Sequence, residues 1–205
     1  MSLTVCKFGG SSLADGNNIQ RVGAIVNADP ARKYVVVSAP GKRYSGDTKV
    51  TDMLYACYRE AEEKGSCAEA FAAVRRRFRS IVDELGMDGF DVDAVLDETE
   101  RDIEQNKSAD FTASRGEYLN ARIIAAKFGR KFVDAKDIVF FNEKGALDEK
   151  RTYAAIAAAL EGCDGAVIPG FYGTDASGRV KTFSRGGSDI SGSVVARAVN
   201  ADLYE

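Results

Sequence analysis

Histidine is absent from the 205-residue chain. That excludes Ser-His-Asp triads, histidine general bases and the His-ligated zinc motifs. Any chemistry must run on lysine, arginine, carboxylates, hydroxyls and backbone amides. Cysteine is sparse: Cys6, Cys57, Cys67 and Cys163 stand apart, with no C-x-x-C spacing. They read as free thiols in a reducing compartment. No basic-then-apolar pattern opens the chain, and no apolar run approaches the length of a membrane span. A cytoplasmic protein without a membrane partner is expected, and Asn106-Lys107-Ser108 is then a chance sequon. Neither sign of charge dominates: 28 Lys+Arg against 31 Asp+Glu leave a net charge of -3. No basic stripe is interleaved with aromatics, which argues against a nucleic-acid partner.

What is present suits one good-sized core. Hydrophobic residues make up 45% and charged residues 29% of the chain, ordinary values for a globular protein. Leu3 to Phe8 is a short β-type run ending at Gly9-Gly10, and Asn18 to Asn27 has helical spacing at Ile19, Val22 and Val26. Tyr34 to Ser38 and Gly165 to Pro169 are continuous apolar runs, the pattern of strands buried on both faces. From Val50 to Phe128 the pattern is helical, with breaks near Lys64-Gly65, Gly86 to Gly89 and Asn106 to Asp110. Phe71, Val74, Phe78, Ile81 and Leu85 form one apolar stripe, and Arg75-Arg76-Arg77 with Arg79 are expected on a solvated face. Asp88, Asp91 and Asp93 lack the glycine and terminal glutamate of a calcium loop and read as helix-start charges. Lys131 to Val133 and Ile138 to Phe141 read as short strands, Thr152 to Leu160 as a helix, and 173 to 184 as a hairpin around Asp175-Ala176-Ser177-Gly178. Ser188 to Asn200 reads as a last helix, and Asp202 to Glu205 as the onset of a further strand. Strands alternating with helices predict a single α/β sandwich with a mainly parallel sheet.

Three glycine-bearing segments fall at strand ends or helix starts. In Lys7-Phe8-Gly9-Gly10-Ser11-Ser12 a cation sits beside a backbone free to turn its amides onto an anion. No Walker loop exists here, so a phosphate site and an ordinary strand-turn both remain open. In Ser184-Arg185-Gly186-Gly187-Ser188-Asp189 a helix start offers unpaired N–H groups. Arg185 could clamp a carboxylate or phosphate through two hydrogen bonds; the alternative is a helix capped by Ser188 or Asp189. The third segment, Ser114-Arg115-Gly116-Glu117, places Glu117 near the first turn of a helix, where the helix dipole alone would favour a carboxylate.

Taken together these segments resemble a known family. Lys7-Phe8-Gly9-Gly10-Ser11-Ser12-Leu13-Ala14 is similar to the opening K-F-G-G-(T/S)-S-(V/L)-A signature of aspartate kinases, and S-x-G-E and G-R-G-G-S-D-x-(S/T) recur in the family's order. Val36-Val37-Ser38-Ala39 resembles the family's second strand, and Val50-Thr51-Asp52-Met53-Leu54 its I-T-(N/D)-x-L helix start. The matches span residues 5 to 202. Ser184 departs from the family by standing where glycine usually precedes the arginine. The resemblance implies a three-layer amino acid kinase sandwich in which residues 1–205 carry the amino-acid-binding part of the catalytic domain. The family's W-T-D-V-D-G nucleotide motif and its ACT-type regulatory modules would follow Glu205, so the sandwich is expected to be incomplete at its C-terminal end.

The implied reaction moves the γ-phosphoryl group of ATP, with Mg²⁺ held mainly through the nucleotide phosphates, onto the β-carboxylate of L-aspartate. Lys7 would sit on the transferring group, oriented by Asp189; Gly9, Gly10, Ser11, Gly187 and Ser188 would face the phosphates. Arg185 would grip the α-carboxylate and Glu117 the ammonium of aspartate, with Ser38 and Thr51 as further substrate contacts and no protein ligand for a metal. The full-length parent is expected to be a homo-oligomer, and the 205 residues alone are expected to fold without turning over. The alternatives are a kinase of the same fold acting on glutamate, N-acetylglutamate, carbamate or UMP, and a truncated, non-catalytic binding or assembly module.

Overall fold

The computed structural model describes residues 2–184 and 186–205. Its centre is a five-stranded sheet built from β1 (Thr4–Phe8), β2 (Arg32–Val37), β3 (Lys131–Phe132), β4 (Ala166–Pro169) and β7 (Leu203–Tyr204). The strand order is β3-β4-β2-β1-β7, and every neighbouring pair is parallel. A separate antiparallel pair, β5 (Tyr172–Thr174) and β6 (Val180–Thr182), forms the expected hairpin. Its turn is held by Asp175, whose Oδ1 accepts from the amides of Ser177 and Arg179.

Alternation along the strands divides the core in two. Val35, Val37 and Val167 face one helical layer: α1 (Gly16–Asn27), α2 (Val50–Lys64), α3 (Ala68–Glu84), α4 (Val92–Asn106) and α5 (Ala109–Phe128). Val5, Tyr34, Val36, Ala166 and Ile168 face the other, which holds α6 (Ala135–Ile138), α7 (Glu149–Leu160) and α8 (Gly187–Ala198). The result is a three-layer α/β sandwich, as expected. No described helix is long and apolar enough to cross a membrane.

Two local readings need correction. Ile138 to Phe141 is not a strand. Asp134 caps α6 by accepting from the Lys136 amide at 3.0 Å, and beyond it Phe140 and Phe141 make only isolated bridges. An aspartate at the N-cap outweighs a short β-type run. The arginine face of α3 is also only partly solvated: Arg76 and Arg79 are exposed, but α4 lies along the face with a row of carboxylates. Arg75 donates to Asp97 and Glu100 at 2.7 and 2.8 Å, and Arg79 to Asp93 at 2.7 Å. Arg77 is buried, 3% exposed, and pairs with Asp47 at 2.6 Å. The helix-start reading of Asp91 agrees with the structure: its side chain accepts from the Ala94 amide at the beginning of α4.

Candidate active site

Parallel strands present their C-terminal ends on one edge, where open α/β sheets place ligands. Here β1 runs into Gly9-Gly10, β2 into Ser38-Ala39-Pro40-Gly41 and β4 into Gly170-Phe171, with the start of α8 beside them. Lys7 lies one residue before the end of β1 on the same face as Val5, the face that packs against α8. Its Nζ meets Asp189 Oδ1 at 2.6 Å. The lysine side chain is 16% exposed and the aspartate 71%, so the pair stands at the mouth of the site.

Gly10 is required by space. A Cβ there would lie 2.9 Å from the Ala39 carbonyl and 3.2 Å from Gly41 Cα, and the Gly41 amide donates to the Gly10 carbonyl at 2.8 Å. The two glycine turns therefore interlock. Below them is a cleft of about 430 Å³ walled by Gly10, Ser11, Ala39, Pro40, Gly41, Lys42, Lys49 and Thr51, with Glu117 at its floor.

Glu117 is nine residues into α5, not in its first turn. The helix dipole therefore cannot account for it. The carboxylate is 5% exposed, and its Oε2 has no hydrogen-bond partner among the described residues. Burial pushes its pKa up to about 8 against the opposing pull of the Ala39 amide. A buried carboxyl kept neutral by desolvation and opening onto a cleft is a candidate partner for a bound cation, which would favour its ionised form.

The other expected residues divide. Ser11 and Thr51 line the cleft with Gly10 and Glu117. Ser38 contributes backbone: its amide donates to the Phe8 carbonyl, and its carbonyl accepts from Asn120 Nδ2 at 2.8 Å. Gly187 and Ser188 open α8 on the Lys7 side, packed over the end of β4. Neither Ser188 nor Asp189 caps that helix. The cap is Gly186, at φ +62° and with no side-chain capping bond, so the capped-helix alternative does not hold. Arg185 lies outside the described residues.

Three residues at the site went unread in the sequence. Asn120, one helical turn beyond Glu117, has its Oδ1 buried and unpartnered among the described residues; a polar residue inside a buried helical stripe was the available signal. Phe171 holds φ +80° where the chain leaves β4, a conformation costly for an aromatic residue, and no sequence pattern announces it. Arg77 was hidden in a run of arginines. The described residues contain no group of three or more His, Cys, Asp or Glu able to hold a metal ion.

Comparison with known proteins agrees with this fold. Residues 2–205 match the sequence model of the amino acid kinase family. Aspartokinase 3 of Bacillus subtilis is 43% identical over 99% of this chain and 48% of its own length. The crystal structure of Clostridium acetobutylicum aspartate kinase superposes with a TM-score of 0.96 at 45% identity, covering 100% of this chain and 47% of that one. Escherichia coli aspartokinase III, solved with aspartate and ADP, shares the fold: its TM-score is 0.78 at 24% identity, over 99% of this chain and 48% of that one. The chain thus spans about half the length of the relatives it matches. By its sequence and by its sandwich, this chain belongs to the amino acid kinase family.

Proposed function

We propose that these residues form the amino-acid-binding part of an aspartate kinase, which transfers the γ-phosphoryl group of ATP to the β-carboxylate of L-aspartate. The observation that carries this reading is Glu117, a buried carboxyl at the floor of a cleft walled by Gly10 and Ser11, whose Oε2 has no hydrogen-bond partner among the described residues. An ammonium group would satisfy it, and an α-amino acid brings one. Arg185 would take the α-carboxylate, leaving the β-carboxylate directed at the phosphate turn. Thr51 on the cleft wall supports a further contact with the substrate.

The reaction needs no base, which suits a chain without histidine. The side-chain carboxyl of aspartate has a pKa near 3.9, so the nucleophile is ionised at neutral pH. One carboxylate oxygen bonds to the γ-phosphorus, the bond to the β,γ-bridging oxygen breaks, and ADP leaves with that electron pair. The product is an acyl phosphate. The difficulty is electrostatic, since an anion must approach a polyanion. Lys7 supplies a positive charge held in place by Asp189, and the amides of Gly9, Gly10, Gly187 and Ser188 supply donors. Mg²⁺ would neutralise phosphate charge when bound. With one exposed, already paired carboxylate nearby, Asp189, the donor set suits an ion that arrives on the nucleotide.

The test is an ADP-release assay on the full-length parent, with hydroxylamine trapping of the acyl phosphate. Aspartate should give hydroxamate, whereas glutamate, N-acetylglutamate, carbamate and UMP should not. Turnover of any of these in preference to aspartate would overturn the reading.

A further inference from the structure

The segment between β2 and α2, residues 38–49, crosses the top of the cleft and is tied down by a buried arginine. Arg77 reaches up from α3 and is 3% exposed. Its Nη1 donates to Asp47 Oδ2 at 2.6 Å, and its Nη2 donates to the Gly41 carbonyl. Asp47, 6% exposed, is the hub of the segment. It accepts from the Arg43 amide at 3.0 Å, from the Arg43 guanidinium at 2.8 and 2.9 Å and from the Thr48 amide at 3.0 Å. The Asp47 amide in turn donates to the Tyr44 carbonyl. Gly41, held by Arg77 through its carbonyl, uses its amide to hold the Gly10 carbonyl. Arg77 to Gly41 to Gly10 is thus a continuous chain of contacts from the helical layer to the phosphate-facing turn.

This arrangement is costly unless position matters. A guanidinium and a carboxylate removed from water contribute little net stability compared with apolar residues of the same volume. Here Arg77 Nε is also left buried without a partner among the described residues. In return the segment gains a fixed height above Glu117, and with it Lys42, Lys49 and Thr51 are kept on the cleft wall. The planar fork of arginine holds a carboxylate and a carbonyl in a fixed relative geometry, which the freely rotating ammonium of a lysine does not impose.

We propose, resting on the aspartate kinase reading above, that Arg77 is a positioning residue for substrate: with Asp47 and Arg43 it clasps the 38–49 segment over the cleft and sets the width of the aspartate site. It touches no substrate and acts through Gly41 and Asp47.

Two readouts on the purified protein test this. One is amide hydrogen exchange at Gly41 and Thr48, and the other is aspartate affinity by calorimetry, each compared with the melting temperature. In a folded Arg77→Met protein, exchange at Gly41 should quicken at least about tenfold while Val35 to Val37 in β2 stay protected, and aspartate should bind about tenfold more weakly. Arg77→Lys should restore the melting temperature more completely than the affinity. Unchanged exchange, or quicker exchange with unchanged affinity, would overturn the proposal. Should Arg77→Met fail to fold, Arg43→Ala at the exposed end of the clasp takes its place. It should shift both readouts a few-fold in the same direction, and no shift in either overturns the proposal. If the wild-type protein binds no aspartate, the kinase reading fails, and exchange at Gly41 alone decides whether the clasp exists.

Discussion

Glu117 couples stability to pH. Its carboxyl carries a pKa raised from 4.5 to about 8 by burial, so between those values the folded protein holds a proton that the unfolded chain has lost. Stability therefore falls as pH rises through that window, by on the order of 4 kcal/mol by pH 8. Glu117→Gln removes this penalty: the ligand-free variant should melt several degrees above wild type at pH 8 and nearly level with it at pH 5, while losing most aspartate binding. An incoming ammonium favours the ionised carboxylate, so aspartate binding at pH 7 should release close to one proton. Calorimetry in buffers of different ionisation enthalpy measures that number. Lys7 is proposed to act at the other end of the substrate. Lys7→Ala in the full-length parent should lower kcat at least about a hundredfold with little change in aspartate KM, because the charge is needed most in the transition state. Steady-state kinetics decide it; a loss of a few-fold would remove Lys7 from the phosphate site. Both residues stood out in the sequence through the glycines beside them. The environment of Glu117 did not, because Thr112, Ser114 and Arg115 bury polar side chains in the early turns of α5 and delay the visible apolar period until Leu119.

Among the elements, α5 carries the most information and was the least legible. It is buried from Thr112 to Ala125 on nearly every side, so its early turns offered no amphipathic stripe to read. Helices with a solvent face, such as α1 and α3, were evident from period alone, and the buried strands β2 and β4 from their unbroken apolar runs. The glycine of α5 makes a sharp test. In a helix interior Gly→Ala ordinarily stabilises by roughly 0.5–1 kcal/mol. At Gly116, however, a Cβ would come within 2.8 Å of Ala39 Cβ and 3.3 Å of Leu54 Cδ1. Gly116→Ala should therefore destabilise, by roughly 1–3 kcal/mol, and weaken aspartate binding by displacing the Ala39 segment from above Glu117. Urea unfolding together with calorimetry reads both; a stabilised variant with unchanged affinity would show that the contact relaxes freely. The arginines of α3 teach a related lesson. Their charge pointed outward to solvent, and only the neighbouring carboxylates of α4 and the buried Asp47, invisible as neighbours in the sequence, show where they go.

For the molecule as a whole, the matched relatives are about twice as long, and the proposed site would hold phosphates and an amino acid through groups that do not read a base. We expect the 205 residues to bind ATP and GTP weakly and with little discrimination, gripping them through Lys7, the Gly9-Gly10 turn and the start of α8. Parallel calorimetric titrations test this, and micromolar affinity with clear preference for ATP would place base recognition inside these residues. The parallel sandwich itself was readable because strand and helix patterns alternate; the strand order was not, since pairing between distant strands leaves no local trace. One such pairing has a kinetic side. The strand bearing Lys7 is central only because β7 lies against it. That pairing is locked by contacts such as Leu3 to Asp202, across 199 positions, and the Lys7 amide to the Glu205 carbonyl. The β7 residue Tyr204 also donates to the carbonyl of Asp189, the partner of Lys7. During synthesis from the N-terminus β1 emerges first and β7 nearly 200 residues later. Once β2 has paired with it, β1 keeps one unsatisfied edge for the rest of that interval, and loop closure over such a span is slow. The strand carrying Lys7 is thus held on both edges only after a pairing across nearly 200 residues has closed, so the position of that lysine depends on one of the longest-range contacts in the sheet.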